Sequence, residues 1–99
     1  MHAVVNRIRL ARPIPDEVFA SAAREVIPRV EAIEGLRAMH LVSAGEHELV
    51  VVLLADSPEA LERTRVEVGN AWMRENVVPY AAGAPERVTG EVVASFERG

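Results

Sequence analysis

Hydrophobic residues recur along this chain with two different periods, and each change of period marks the boundary of an element. Residues 2–10 alternate as a strand does. One face of this strand carries the even-numbered positions His2, Val4, Asn6, Ile8 and Leu10. Alternating or continuous apolar runs predict three further strands at 36–43, 47–55 and 87–97. The unbroken run in 47–55 indicates a strand that is buried on both faces.

Helical spacing predicts two helices between these strands. The first follows the breaker A-R-P-I-P-D; Gly35 is expected to end it, and Pro28 to kink or shorten it. The second opens at D-S-P-E-A-L, with Asp56 or Ser57 as its N-terminal cap. Its apolar side contains Leu61, Thr64, Val68, Ala71 and Trp72.

The element order is therefore βαββαβ, which is the order of the ferredoxin-like α+β fold. We expect one domain over residues 1–99, with an antiparallel sheet and both helices on one of its faces. The other face would carry many apolar side chains, above all along the third strand. Exposing that surface costs about 25 cal/mol per Å², so a second copy of the chain is expected to cover it.

The composition narrows the function further. A formal net charge of −4 gives no long-range attraction for nucleic acid or for an anionic membrane. The chain has no cysteine, and all of its 11 basic residues are arginine, so thiolate and lysine Schiff-base chemistry are excluded. No apolar run reaches 18 residues, and a cytoplasmic protein is expected.

Several stretches resemble a known family. These are N-R-I-R-L on the first strand, the glycine in E-G-L-R-A-M, the helix opening A-D-S-P-E-A-L and the tryptophan late in that helix. Together they resemble the dimeric α/β-barrel superfamily, and within it the antibiotic-biosynthesis-monooxygenase-like group. The resemblance implies a homodimer whose two sheets pack face to face, with a ligand pocket between helices and sheet in each subunit. It also implies cofactor-free oxidation of polycyclic aromatic phenols, or haem degradation, as the activities of some members.

Two residues match positions that line the pocket in that group. Asn6 matches the strand-one asparagine, and Trp72 matches the tryptophan of the second helix. Haem-degrading members place an axial histidine about one helix length beyond the tryptophan. Here that stretch, M-R-E-N-V-V-P-Y-A-A-G-A-P, has no histidine, and Tyr80 is the nearest substitute. A haem-degrading activity is therefore disfavoured, and we expect no bound cofactor.

Each candidate residue also has a structural interpretation. Asn6 either holds a substrate oxygen or satisfies a nearby backbone group. Trp72 is either a pocket wall or ordinary core. His40 is either a buried base or a satisfied core group, and Tyr80 is a weaker candidate for moving a proton. The three histidines show no metal-ligand spacing, so no metal site is expected.

Two functions remain open at this point. The first is a small-molecule-binding homodimer that oxidises an aromatic, phenolic substrate without a cofactor. In it Asn6 would hold the anionic oxygen, Trp72 would stack on the ring, and Tyr80 or His40 would move a proton. The second is a ligand-sensing or accessory dimer that needs the pocket but no catalysis. The first hypothesis requires Asn6 and Trp72 to face the same cavity.

Overall fold

The computed structural model describes residues 1–98, which form a four-stranded sheet covered on one face by helices. The strands are β1 (His2–Arg9), β2 (Leu36–Ser43), β3 (Glu48–Ala55) and β4 (Glu86–Glu91). The helices are α1 (Asp16–Glu31), α2 (Pro58–Thr64) and α3 (Asn70–Asn76). A π-helical turn (Arg65–Gly69) joins α2 to α3, and a 3₁₀ turn (Val78–Tyr80) follows α3. None of the helices between residues 1 and 98 has the length and hydrophobicity needed to span a bilayer.

The strands lie in the order β2-β3-β1-β4, and every pair is antiparallel. This is the ferredoxin-like α+β arrangement that the element order predicts, so the predicted fold class is confirmed. In β1, Asn6 pairs with Val51 of β3 on one side and with Arg87 of β4 on the other.

The third strand is buried on one face only. Leu49, Val51, Leu53 and Ala55 point into the core under the helices. The alternate side chains Val50, Val52 and Leu54 lie on the opposite face and are partly exposed. The prediction of a strand buried on both faces therefore fails within a single chain, because no helix packs on the second face.

The first helix differs from the prediction at its end. It continues through Pro28 to Glu31, so the proline does not shorten it. Gly35 lies beyond the helix, at the entrance to β2, with a φ of +88° that favours glycine. A Cβ atom on Gly35 would lie 3.1 Å from the Cβ of Ala60, so the glycine also allows the close approach of α2.

The second helical segment contains a feature that the sequence pattern does not predict. Ser57 is the N-terminal cap, and its Oγ accepts a hydrogen bond from the Ala60 N–H at 3.2 Å. Further along, the Asn70 N–H donates to the Arg65 carbonyl oxygen, five residues back rather than four. This is the bond of a π-helical turn, which inserts one extra residue into the helix.

The last strand is shorter than the predicted 87–97. β4 ends at Glu91, and the Val92 N–H donates to the Met1 carbonyl oxygen at 2.8 Å. Because β1 begins at His2, the neighbouring strand offers no further partner beyond that bond. Residues 92–98 lie outside the strands, with Val93 94% and Phe96 77% exposed.

Candidate functional site

A cavity of about 260 Å³ lies between the helices and the helix-facing side of the sheet. The four strands form its floor, with β4 contributing Arg87, and α1, α2, the π-helical turn and α3 form its walls. Its surface is mostly apolar, with Val4, Leu53, Leu61, Val68, Trp72 and Met73 among the side chains that line it. A concave, mostly apolar space with a few polar groups is the usual form of a small-molecule site.

Asn6 lies in the cavity floor. The alternation of β1 puts its side chain on the same face as Val4 and Ile8, which are 2% and 1% exposed. Within residues 1–98 the Asn6 amide has no hydrogen-bond partner. No fully buried side-chain nitrogen or oxygen in this part of the chain lacks a partner, so the Asn6 amide is open to the cavity. The interpretation in which Asn6 satisfies a backbone group is therefore wrong.

Trp72 lines the cavity from α3 and is also part of the core. It is 9% exposed and packs within the main apolar cluster. The Asn76 Nδ2 donates to the Trp72 carbonyl oxygen at 3.1 Å and supports the last turn of α3. The two interpretations of this tryptophan thus describe the same position: it anchors the helix and presents an indole surface to the cavity.

The two weaker candidates lie elsewhere. His40 is exposed on β2, whose neighbouring residues Met39 and Leu41 line the cavity, so the strand alternation turns His40 to the opposite face. The interpretations of His40 as a buried base or a core group are both wrong. The Tyr80 ring lies 4.5 Å from the Arg12 guanidinium carbon, in the 3₁₀ turn, and does not line the cavity.

Four polar residues that the sequence analysis did not single out also line the cavity: Thr64, Arg65, Asn70 and Arg87. The Thr64 Oγ1 donates to the Ala60 carbonyl oxygen at 2.8 Å and is therefore already satisfied. Arg87 faces the cavity because it pairs with Asn6 across the β1–β4 ladder. That pairing register cannot be read from the sequence alone.

The two arginines differ in their partners. The Arg65 Nε donates to Glu62 Oε2 at 3.0 Å, and this hydrogen bond lowers the pKa of the Glu62 carboxyl and raises that of the guanidinium. The charge of Arg87 also lowers the pKa of Glu62. Between residues 1 and 98, Arg87 forms no ion pair of its own. Its charge is therefore available to a ligand at the cavity.

The cavity lining contains no aspartate, glutamate, histidine, tyrosine or cysteine among the residues that the structure describes. It thus lacks the histidine, thiolate or phenolate that holds iron in oxygen-activating haem proteins, and these residues do not fit a haem site. Over the same residues, no cluster of three or more histidine, cysteine or acidic side chains could hold a metal ion. The lining offers amides, arginines and apolar surface.

Solved structures of three proteins illustrate what this fold is similar to. Rv0793 from Mycobacterium tuberculosis is 22% identical, with 97% of this chain and 98% of that chain covered at a TM-score of 0.70. SnoaB, a cofactor-independent oxygenase from Streptomyces nogalater, is 14% identical, with 98% and 97% covered at 0.71. The monooxygenase ActVA-Orf6 of Streptomyces coelicolor, in complex with nanaomycin D, is 14% identical, with 99% and 92% covered at 0.74.

No protein-family model matches the chain, and no curated protein matches its sequence. The likeness to the solved structures extends over nearly the whole of each chain, although the sequences differ at most positions. The chain therefore has the fold of the antibiotic-biosynthesis-monooxygenase-like group, as the resemblance predicts.

Proposed function

We propose that the chain is a small-molecule-binding homodimer that oxidises a polycyclic aromatic phenol with molecular oxygen and without a bound cofactor. One observation carries the proposal: Asn6 and Trp72 line the same apolar cavity. The structures with which the chain shares its fold include a cofactor-independent oxygenase and a monooxygenase with a bound ligand.

The cavity matches the chemistry of a flat aromatic ligand. Its aliphatic walls remove apolar ring surface from water, and the Trp72 indole offers a face or an edge for stacking. The Asn6 amide, which has no hydrogen-bond partner among residues 1–98, donates to a ligand oxygen at the cavity floor. The ligand is thus oriented by one polar edge and held by the apolar remainder.

The oxidation requires the substrate to become an anion before it reacts with oxygen. An anthrone is the model case: its methylene carbon loses a proton, and the carbanion transfers electrons to O₂. A C–O bond forms at that carbon to give a hydroperoxide. Loss of the second C–H proton then breaks the O–O bond, and the products are a quinone carbonyl and one water. The positive charge of Arg87 at the cavity lowers the pKa of a bound phenol or enol, because it favours the ionised form.

Neither Tyr80 nor His40 lines the cavity, so the proposed reaction does not use them as proton carriers. The proton leaves to water, and the substrate's own acidity supplies the anion. The protein contributes orientation, a water-poor environment and a positive field.

Oxygen uptake with 1,8-dihydroxy-9-anthrone tests the proposal. We expect consumption of one O₂ per anthrone above the rate of autoxidation, with 1,8-dihydroxyanthraquinone as the product. Asn6→Ala and Trp72→Ala should lower the rate, whereas Tyr80→Phe and His40→Ala should leave it unchanged. An uptake equal to autoxidation, at enzyme concentrations that bind the quinone product, would rule out the oxygenase.

A ligand-sensing or accessory dimer is the second candidate, and the lack of any acid or base in the described cavity lining favours it. Tryptophan fluorescence reports ligand binding near Trp72, because Trp72 is the only tryptophan, and it therefore helps to distinguish the two functions. Quenching of Trp72 by 1,8-dihydroxyanthraquinone without oxygen uptake from the anthrone would support the sensor. Absence of both quenching and uptake would contradict both functions.

The homodimer rests on the uncovered face of the sheet. Val5 of β1, Val52 of β3 and Val88 of β4 form one continuous row across it, since both pairs are in register. Val88 is 66% exposed in the single chain. We propose that the same face of a second copy packs on this row and closes the two sheets into a barrel.

A further inference from the structure

The π-helical turn changes which residues the helix presents to the cavity. In a regular α-helix each residue advances by about 100°, so Asn70, nine positions after Leu61, would point about 180° away from it. Leu61 and Asn70 nevertheless line the same cavity, Leu61 as a buried residue and Asn70 as an exposed one where the cavity opens to solvent. One inserted residue removes about 100° of rotation, which leaves Asn70 about 80° from Leu61.

Met73 shows the same effect. Without the inserted residue it would lie about 120° from Leu61, and with it about 20°, which agrees with its place in the cavity wall. Trp72 moves in the other sense, from about 20° to about 80° on the side opposite Asn70. The turn therefore spreads Asn70, Met73 and Trp72 across the cavity side of α3.

The Asn70 side chain has no hydrogen bond to any of residues 1–98, unlike Asn76, whose amide supports the Trp72 carbonyl. A π-helical turn is rare and is found frequently at functional sites. Its occurrence where the helix passes the cavity gives the chain one more polar group there, and the protein itself does not use that group.

We propose that Asn70 is a second ligand-binding amide, turned into the cavity by the π-helical turn. The ligand then carries oxygen atoms on two opposite edges of its ring system. Asn6 binds the hydroxyl-bearing edge from the sheet, and Asn70 binds the opposite edge from the helix. This inference deepens the proposed function and rests on it for the class of ligand.

Two probes with the same rings separate the two edges. 1,8-Dihydroxyanthraquinone carries a carbonyl on the edge opposite its hydroxyl groups, whereas 1,8-dihydroxy-9-anthrone has a methylene there. Binding is measured by Trp72 fluorescence, without oxygen for the anthrone. Asn70→Ala should weaken quinone binding by about two- to tenfold, the effect of one lost hydrogen bond, and leave anthrone binding unchanged. An equal effect on both probes, or on neither, would overturn the assignment.

Asn76→Ala is the matched control, because it removes an amide from the same helix outside the cavity. We expect it to lower the thermal midpoint without changing the affinity for the quinone. Asn70→Ala should weaken the affinity for the quinone without changing the thermal midpoint. If Asn70→Ala lowered the midpoint as Asn76→Ala does, Asn70 would have a structural role and the proposal would be contradicted.

A measurement without a ligand keeps the inference independent of the proposed function. Since the chain has no cysteine, Asn70→Cys and Glu67→Cys each give a single site for N-phenylmaleimide. The adduct at position 70 should enter the cavity and shift the NMR signals of the Asn6 side-chain amide. The adduct at position 67, which does not line the cavity, should leave them unchanged. Unshifted Asn6 signals in the first variant would refute the orientation of Asn70, even if the wild type bound neither probe.

Discussion

Replacing Asn6 by leucine should stabilise the protein while it weakens ligand binding. The Asn6 amide has no partner within the described chain, and its strand neighbours Val4 and Ile8 are 2% and 1% exposed. Leucine has a similar size and suits this apolar surface better. Full burial of a leucine side chain contributes about 1.5–3 kcal/mol. Because position 6 is only partly buried, we expect a gain of about 0.5–1.5 kcal/mol in the free energy of unfolding.

Urea unfolding followed by far-ultraviolet circular dichroism measures this gain, and oxygen uptake with the anthrone measures the loss of function. Such an exchange of stability for activity is expected where a polar group is retained for a ligand. Asn76→Leu is the control: its amide hydrogen bond is satisfied, so the variant should lose about 1 kcal/mol. A loss of more than about 1 kcal/mol in Asn6→Leu would show that the amide supports the fold, and the reasoning would fail.

Three further predictions concern the fold and the dimer. Gly35→Ala should lower the free energy of unfolding in urea by about 2–3 kcal/mol, because of the strained positive φ and the close approach of Ala60. Gly45→Ala has a positive φ but open space around it, so it should lower this free energy by only about 1 kcal/mol. Equal losses would contradict the role of the close approach. The hydrogen bond from Arg37 lowers the pKa of Asp56 below its ordinary 3.8, so this carboxylate stabilises the fold above that pH and the contribution is lost as the pH falls through the lowered value. Asp56→Asn should therefore flatten the acid side of the plot of urea midpoint against pH, and an unchanged slope would exclude the link. Val52→Arg should convert the dimer to a folded monomer in light scattering after size-exclusion chromatography, and a monomeric wild type would refute the dimer.

The sequence alone could predict the elements in which the hydrophobic pattern of the residues matches the side that is buried in the structure. The alternation of residues 2–10 places Asn6 beside two core residues, and the helical stripe through Val68 directs Trp72 toward the sheet. Both predictions depend only on a local period and on the presence of one apolar layer. The period therefore predicts that these two residues face the same layer, whereas a cavity between them is what the family resemblance implies.

Other features depend on pairing partners that a local pattern does not contain. β4 ends at Glu91, which pairs with His2 of β1, although the alternation continues to Phe96. Arg87 reaches the cavity only through its register with Asn6. His40 falls on the outer face because the neighbouring positions of β2 face inward. Each of these features depends on how the strands pair in the sheet and not on the sequence of a single strand.

The π-helical turn is a further case, since its sequence, R-V-E-V-G, fits a regular helix equally well. A strict α-helical period places Trp72 in line with Leu61 and turns Asn70 away, which hides a polar group from any periodicity argument. The inserted residue places Trp72 and Asn70 each about 80° from Leu61, on opposite sides of it, without changing the apolar composition of the stripe. The rotation of α3 relative to α2 therefore cannot be read from the helical period.

The composition of the cavity restricts how any reaction there could proceed. Amides and guanidinium groups do not accept a proton near neutral pH, so none of the polar residues that line the described cavity is a general base. A bound phenol or enol must then ionise because its anion is stabilised, and Arg87, which forms no ion pair among residues 1–98, and the two asparagines are groups that favour an anion. Substrates of higher intrinsic acidity should therefore react faster, and the pH dependence of the rate should follow the pKa of the bound substrate. The site therefore requires a substrate that is acidic enough to form the reactive anion itself, and the protein orients that substrate.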